Sequence, residues 1–84
     1  MYYVYILKMS DGQHYTGYTS DLRRRISEHN SGSNTTTSKH LPVKLVFYEA
    51  FLNEKDARRR EEYFKTDKGK TTIKLMLREY LDLK

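Results

Sequence analysis

The chain reads as an α+β domain, a three-stranded antiparallel sheet flanked by three helices, and three observations lead there. Tyr2-Tyr3-Val4-Tyr5-Ile6-Leu7-Lys8 and Gln13 to Tyr18 are strand-like runs separated by Ser10-Asp11-Gly12, the signature of a hairpin. A third strand-like run, Val43 to Phe51, follows Pro42. Elsewhere the apolar residues recur at helical spacing in three segments. The expected strands are therefore 2-8, 13-18 and 43-51, and the expected helices 21-30, 54-66 and 71-82. At 84 residues the whole of 1-84 is read as one domain, with no internal repeat.

The hairpin admits two registers. A two-residue loop pairs Ser10 with Gln13 and puts Tyr5 and Tyr15 on opposite faces. A three-residue loop, with Gly12 in the left-handed region, pairs Met9 with Gln13. Leu7 then lies across from Tyr15 and Tyr5 across from Gly17, so both phenols share a face.

Ser20 and Asp21 supply helix-start chemistry for the first helix, a hydroxyl to cap and an acid for the positive end of the dipole. Leu22, Arg25, Ile26 and His29 follow at i, i+3, i+4 and i+7, the spacing of a buried stripe. Two of its four members are a guanidinium and an imidazole, so this helix faces a polar site as well as a core. Ser31 to Lys39 is polar throughout and reads as a mobile loop without an apolar anchor. The third strand is apolar on both faces and is expected to be well covered.

Asn53 or Glu54 opens the second helix, where Ala57, Arg60, Glu61 and Phe64 form the inward stripe. Glu61 falls within about 40° of Ala57 and about 60° of Phe64, which aims a carboxylate inward. Its plainest reading is a structural salt bridge to Arg25, although burying such a pair seldom stabilises a fold by itself. Gly69 is read as ending this region, with Thr71 or Thr72 capping a third helix whose stripe is Ile73, Met76, Leu77 and Tyr80.

Composition narrows the functional classes. There is no cysteine, which excludes disulfides and thiolate metal sites, so any metal must be held by oxygen or imidazole. No apolar run is long enough to cross a membrane, and the N-terminus enters a strand pattern directly, so a cytoplasmic protein is expected. Sixteen Lys and Arg against eleven Asp and Glu give a net charge of +5, which favours an anionic partner. Eight tyrosines add groups that stack on bases or donate to phosphates.

Two phenols, an arginine, a histidine and one inward carboxylate are the groups that metal-assisted phosphodiester hydrolysis uses. One carboxylate suffices for magnesium, which keeps several waters and borrows phosphate oxygens. Arginine suits the charge that builds on phosphorus. Tyrosine takes a proton from water only where a neighbouring cation or metal pulls its pKa down.

From Tyr2 to about Thr66 the chain resembles the GIY-YIG nuclease family, in particular its short bacterial members similar to an excinuclease C-subunit domain. The first signature half corresponds to Tyr3-Val4-Tyr5 and the second to Tyr15-Thr16-Gly17. The following arginine matches Arg25, the residue one turn on matches His29, and the metal-ligand glutamate matches Glu61 in Ala57-Arg58-Arg59-Arg60-Glu61. The resemblance implies a DNA endonuclease, in repair or recombination, using one Mg2+ or Mn2+ ion held by Glu61. It also favours the three-residue hairpin loop. Tyr5 is the first choice for activating water and Tyr15 for orienting it or binding phosphate. Arg25 would stabilise the transition state, and His29 would relay a proton or bind phosphate. Gly17 would keep the strand thin where the phosphate backbone approaches.

Tyr18, Arg24, Lys39 and His40 are the expected further contacts to nucleic acid. Three positions depart from the family pattern: Tyr3 replaces a glycine, Tyr18 stands where some members carry lysine, and no asparagine follows Asn53. The chain is taken as a monomer, with structure-based rather than sequence-based selectivity. The alternative is a nucleic-acid-binding module of the same fold with little or no cleavage.

Overall fold

The computed structural model describes residues 1–82; the last two residues of the expected domain lie outside that range. The elements run β1 (Tyr2–Lys8), β2 (His14–Thr19), α1 (Leu22–Asn30), β3 (Lys44–Phe51), α2 (Glu54–Phe64), α3 (Asp67–Met76) and a short α4 (Arg78–Leu81). The sheet is antiparallel in the order β2-β1-β3, so the first strand of the sequence is the middle strand of the sheet.

The hairpin takes the three-residue register. The Met9 amide donates to the Gln13 carbonyl at 2.8 Å, the Gly12 amide donates to Met9 at 2.9 Å, and Gly12 has φ 88°. Only a residue without Cβ adopts that angle cheaply, so glycine at this point sets the pairing of the whole hairpin. Leu7 lies opposite Tyr15 and Tyr5 opposite Gly17. Because side chains alternate along a strand, Tyr5 and Tyr15 share a face.

Two cores follow from that alternation. Tyr5, Leu7, Met9 and Val43 are buried on one face with Leu22 and Ile26 of α1 packed against them. Val4, Ala57 and Phe64 are buried on the other, beneath α2 and α3. Each of the three longer helices is started by a short polar side chain. Asp21, rather than Ser20, caps α1 by accepting from the Arg24 amide at 3.1 Å, and Asn53 caps α2 by accepting from Lys55 at 2.8 Å.

Four expectations need correction. The third helix begins at Asp67, not near residue 71, because Thr66 is the cap and accepts from the Gly69 amide at 3.0 Å. Gly69 does not end a helix: it sits buried in the first turn of α3, where a Cβ would collide with the backbone of Tyr63 and Phe64. A glycine read as a stop signal is here a point of close helix approach. The segment to residue 82 is also broken at Leu77 (φ −108°, ψ 25°), and Met76 of its presumed stripe is exposed. Finally, β3 is an edge strand with only half-buried or exposed positions, not a well-covered one, because β1 takes the centre.

Candidate active site

Tyr5 is the residue around which the polar groups gather. Its side chain leaves the middle strand and crosses Gly17 on β2; a Cβ at Gly17 would come within 3.0 Å of its Oη, Cζ and Cε1, the last at 2.9 Å. The space above this glycine is therefore filled by the Tyr5 ring, and Gly17 is thin for the phenol's sake. The residue is 1% exposed, and its hydroxyl lies 2.8 Å from Nε2 of His29.

His29 is 0% exposed in the last turn of α1, and both its nitrogens are engaged. Nδ1 lies 2.8 Å from Oγ1 of Thr37, itself fully buried. Arg25, one turn earlier on α1, draws the Tyr5 phenol's pKa down with its positive charge. Between a protonated phenol and a neutral imidazole the phenol is the stronger donor and the ring nitrogen the stronger acceptor, so Tyr5 donates to Nε2 of His29. It follows that His29 carries its own proton on Nδ1 and donates it to Thr37. The hydroxyl of Tyr5, the imidazole and Thr37 thus form one directed, buried chain.

Electrostatics agree with that order of protons. Burial pushes the Tyr5 phenol up to about 12, Arg25 pulls it down, and the nearby Tyr15 and Glu61 raise it further. Burial, reinforced by the charge of Arg25, lowers His29, which is therefore neutral at pH 7; Glu28 opposes the shift. An acceptor imidazole and a donor phenol are the stable pair.

Tyr15 completes the aromatic part. Its ring meets His29 edge-on at 5.2 Å between centroids, and its hydroxyl accepts from Nδ2 of Asn34 at 3.3 Å. Glu61 projects from α2, which covers the opposite face, and its negative charge raises the Tyr5 phenol. Its side chain is 19% exposed and accepts from Lys65 at 3.0 Å. The direct salt bridge between Arg25 and Glu61 does not form: Arg25 donates to Glu28 at 3.0 Å instead. Each takes a partner three or four residues along its own helix.

The outer residues are elsewhere. Tyr18 lies on the α2 face, donating to Glu54 at 3.1 Å beneath Arg58, whose guanidinium carbon is 4.3 Å from the ring centroid. Arg24 is exposed and lies 3.6 Å from Glu28. Lys39 is exposed, and His40 sits at the hairpin turn with Nδ1 3.6 Å from Asp11.

The expected mobile loop after α1 is instead tied down. Oδ1 of Asn34 accepts from the amides of Thr36 at 2.9 Å and Thr37 at 3.0 Å, folding the segment so that Thr37 enters the interior. Sequence reasoning missed Asn34 and Thr37. The available signal was weak: an asparagine followed by threonines is the pattern of a side-chain-capped turn.

Among the described residues, no three of His, Asp and Glu come together as a metal cage. No helix is long and apolar enough to cross a membrane. Residues 1–74 match the GIY-YIG catalytic domain. The chain is 48% identical over 64 residues to a UPF0213 protein of Streptococcus agalactiae serotype V, covering 75% of this chain and 73% of that one. A UPF0213 protein of Halobacterium salinarum is 45% identical over 62 residues, covering 73% and 80%. The solution NMR structure of a Bacillus halodurans UPF0213 protein superposes with a TM-score of 0.57 at 39% identity, over 90% of this chain and 85% of that one.

Proposed function

The chain belongs to the GIY-YIG family, in its UPF0213 branch, and from that membership we propose a cytoplasmic, divalent-metal-dependent endonuclease that hydrolyses phosphodiester bonds in DNA, in repair or recombination. The observation that carries this reading is the Tyr5–His29–Thr37 chain with Arg25 and Glu61 both acting on the same phenol.

A phenol at about 12 is a poor base at pH 7 by itself. The hydrogen-bonded chain offers a way round that. As water attacks phosphorus, its proton passes to the Tyr5 oxygen while the Tyr5 proton passes to Nε2 of His29, so no free phenolate need form. Thr37 keeps Nδ1–H in place so that Nε2 stays an acceptor. Arg25 lowers the pKa of Tyr5 and faces the charge that develops on phosphorus. Tyr15, whose oxygen already accepts from Asn34, retains its own proton to donate to a phosphate oxygen. The bond from phosphorus to the leaving oxygen breaks, and solvent protonates that oxygen.

Glu61 would be a single hard-oxygen ligand, which suits Mg2+ or Mn2+ bound largely through water and substrate. When bound there, the ion would neutralise charge on the phosphate and lower the pKa of neighbouring acids. Lys65 already occupies Glu61, so ion binding competes with that pair.

Plasmid and branched DNA incubated with Mg2+ or Mn2+ test the reading. Glu61→Ala and Arg25→Ala should each lower cleavage by about 10²-fold or more while DNA binding is kept. Binding with no cleavage under any metal would favour a non-cutting module, the reading to which the solitary carboxylate and the elevated Tyr5 also lend support.

A further inference from the structure

A second concavity lies on the opposite face of β2 from the Tyr5 hydroxyl, between the sheet and α3. Its volume is about 410 Å³, within the range of about 300–1,000 Å³ typical of small-molecule sites. The walls are apolar: Ile6 from β1, Phe64 from the end of α2, and Ile73 and Leu77 from α3. Around them stand Lys65, Lys70 and Lys74, and none of the lining residues is acidic. An apolar slot edged by three cations fits a ligand that is flat and uncharged in one part and anionic in another.

The position of the slot says which ligand. One of its lining residues is tied to the candidate active site: Lys65 donates to Glu61 at 3.0 Å. A strand whose phosphodiester lies at Glu61 therefore has an adjoining nucleotide at the mouth of the slot. Thr16 and His14, on the α2 face of β2, form the wall nearest the site, and His14 is held in place by Tyr80 at 3.3 Å.

We propose that this slot receives one unpaired nucleobase of the substrate strand, with Lys70 and Lys74 on its flanking phosphates. A base stacked inside a continuous duplex cannot enter without being flipped out, and the cost of unstacking is least for an already unpaired base. Selectivity for bulges, flaps and branch points over perfect duplex follows, without any reading of sequence. The proposal deepens the nuclease reading and rests on it for the path of the strand.

The experiment measures binding in EDTA, so that it does not depend on cleavage. The probes are a duplex carrying a single bulged 2-aminopurine and the same duplex fully paired. The bulged probe should bind roughly tenfold more tightly and change its fluorescence on binding. Thr16→Phe, which fills the slot from a strand position, should abolish the preference and leave affinity for paired duplex unchanged. Lys70→Ala combined with Lys74→Ala, at two exposed positions, should reduce the salt dependence of binding to the bulged probe by about 1.4 in log–log slope. Equal affinity for the two probes, or a preference that survives both variants, overturns the proposal. A preference confirmed in a protein that cuts no DNA would sink the nuclease reading and leave the slot standing. Cleavage without any preference would do the reverse.

Discussion

Alanine at Gly17 puts the assignment of that glycine to a direct trial. In an ordinary strand position Gly→Ala stabilises by about 0.4–1 kcal/mol, because the unfolded chain loses freedom. Here the new methyl would overlap the Oη and Cζ of Tyr5 and come within 2.9 Å of Cε1. The ring has nowhere to retreat, being 1% exposed and bonded to His29. Overpacking of a filled interior costs about 1–3 kcal/mol. Displacing the hydroxyl also strands Nε2 of His29, for a further loss of about 1–3 kcal/mol. A net loss of about 3 kcal/mol would lower Tm by about 12–24 °C in a domain of this size. Far-UV circular dichroism melts measure it directly. Coupling gives the sharper readout: in a Tyr5→Leu background the same alanine should cost less than about 1 kcal/mol, since the two sites share one volume. If Gly17→Ala melts within about 3 °C of the parent but binds DNA poorly, the glycine serves the substrate and not the tyrosine, and this account of the site is wrong.

Thr37→Val removes the acceptor of the Nδ1–H proton with little change of shape, and should cost about 1–3 kcal/mol in urea denaturation while slowing cleavage. Imidazole nitrogen shifts in NMR should report a redistributed tautomer. Since burial lowers the pKa of His29, the unfolded chain takes up that proton first, so stability declines as pH falls below about 6.5. Melts between pH 7.5 and 5 should show this slope, reduced but not abolished in His29→Asn, because His14 is lowered as well. Cleavage should weaken further to the acid side, where the acceptor nitrogen of folded His29, its pKa lowered by burial, fills. At Gly69 a Cβ meets backbone that cannot swing away, so Gly69→Ala should destabilise by about 3 kcal/mol, against the gain of about 1 kcal/mol usual inside helices. An unchanged urea midpoint would disprove the close approach of α2 and α3.

Much of this was legible in the sequence where a local rule and a distant one agreed. Asp11-Gly12 and the alternation of Tyr3, Tyr5 and Leu7 specify a hairpin, and the shared face of Tyr5 and Tyr15 follows from its three-residue loop. Helical spacing alone placed Arg25 and His29 on the inner side of α1, and Glu61 beside Ala57 on α2. The readings that failed were those where one residue type serves opposite purposes. Gly69 carries the mark of a helix end, but the carbonyl of Tyr63 passes so near that only glycine fits inside the turn. Thr37 lies in a run of small polar residues, and hydropathy offers no reason to bury it; its reason is the ring of His29, eight positions away. Coverage of β3 was overestimated because strand order is a tertiary property: an apolar run looks alike at the middle of a sheet and at its margin.

The place of β1 between its two neighbours has a consequence for biosynthesis. β1 is made before its two neighbours: it is flanked by β2 almost at once, but its other side stays open until Phe51 has been made. During that interval Val4, Ile6 and Leu7 sit in a two-stranded ribbon, and such ribbons are marginal in water. The Tyr5 ring can settle over Gly17 early, whereas Glu61 arrives only with α2. A nascent chain is thus unable to assemble the full set of reacting groups until α2 has been translated.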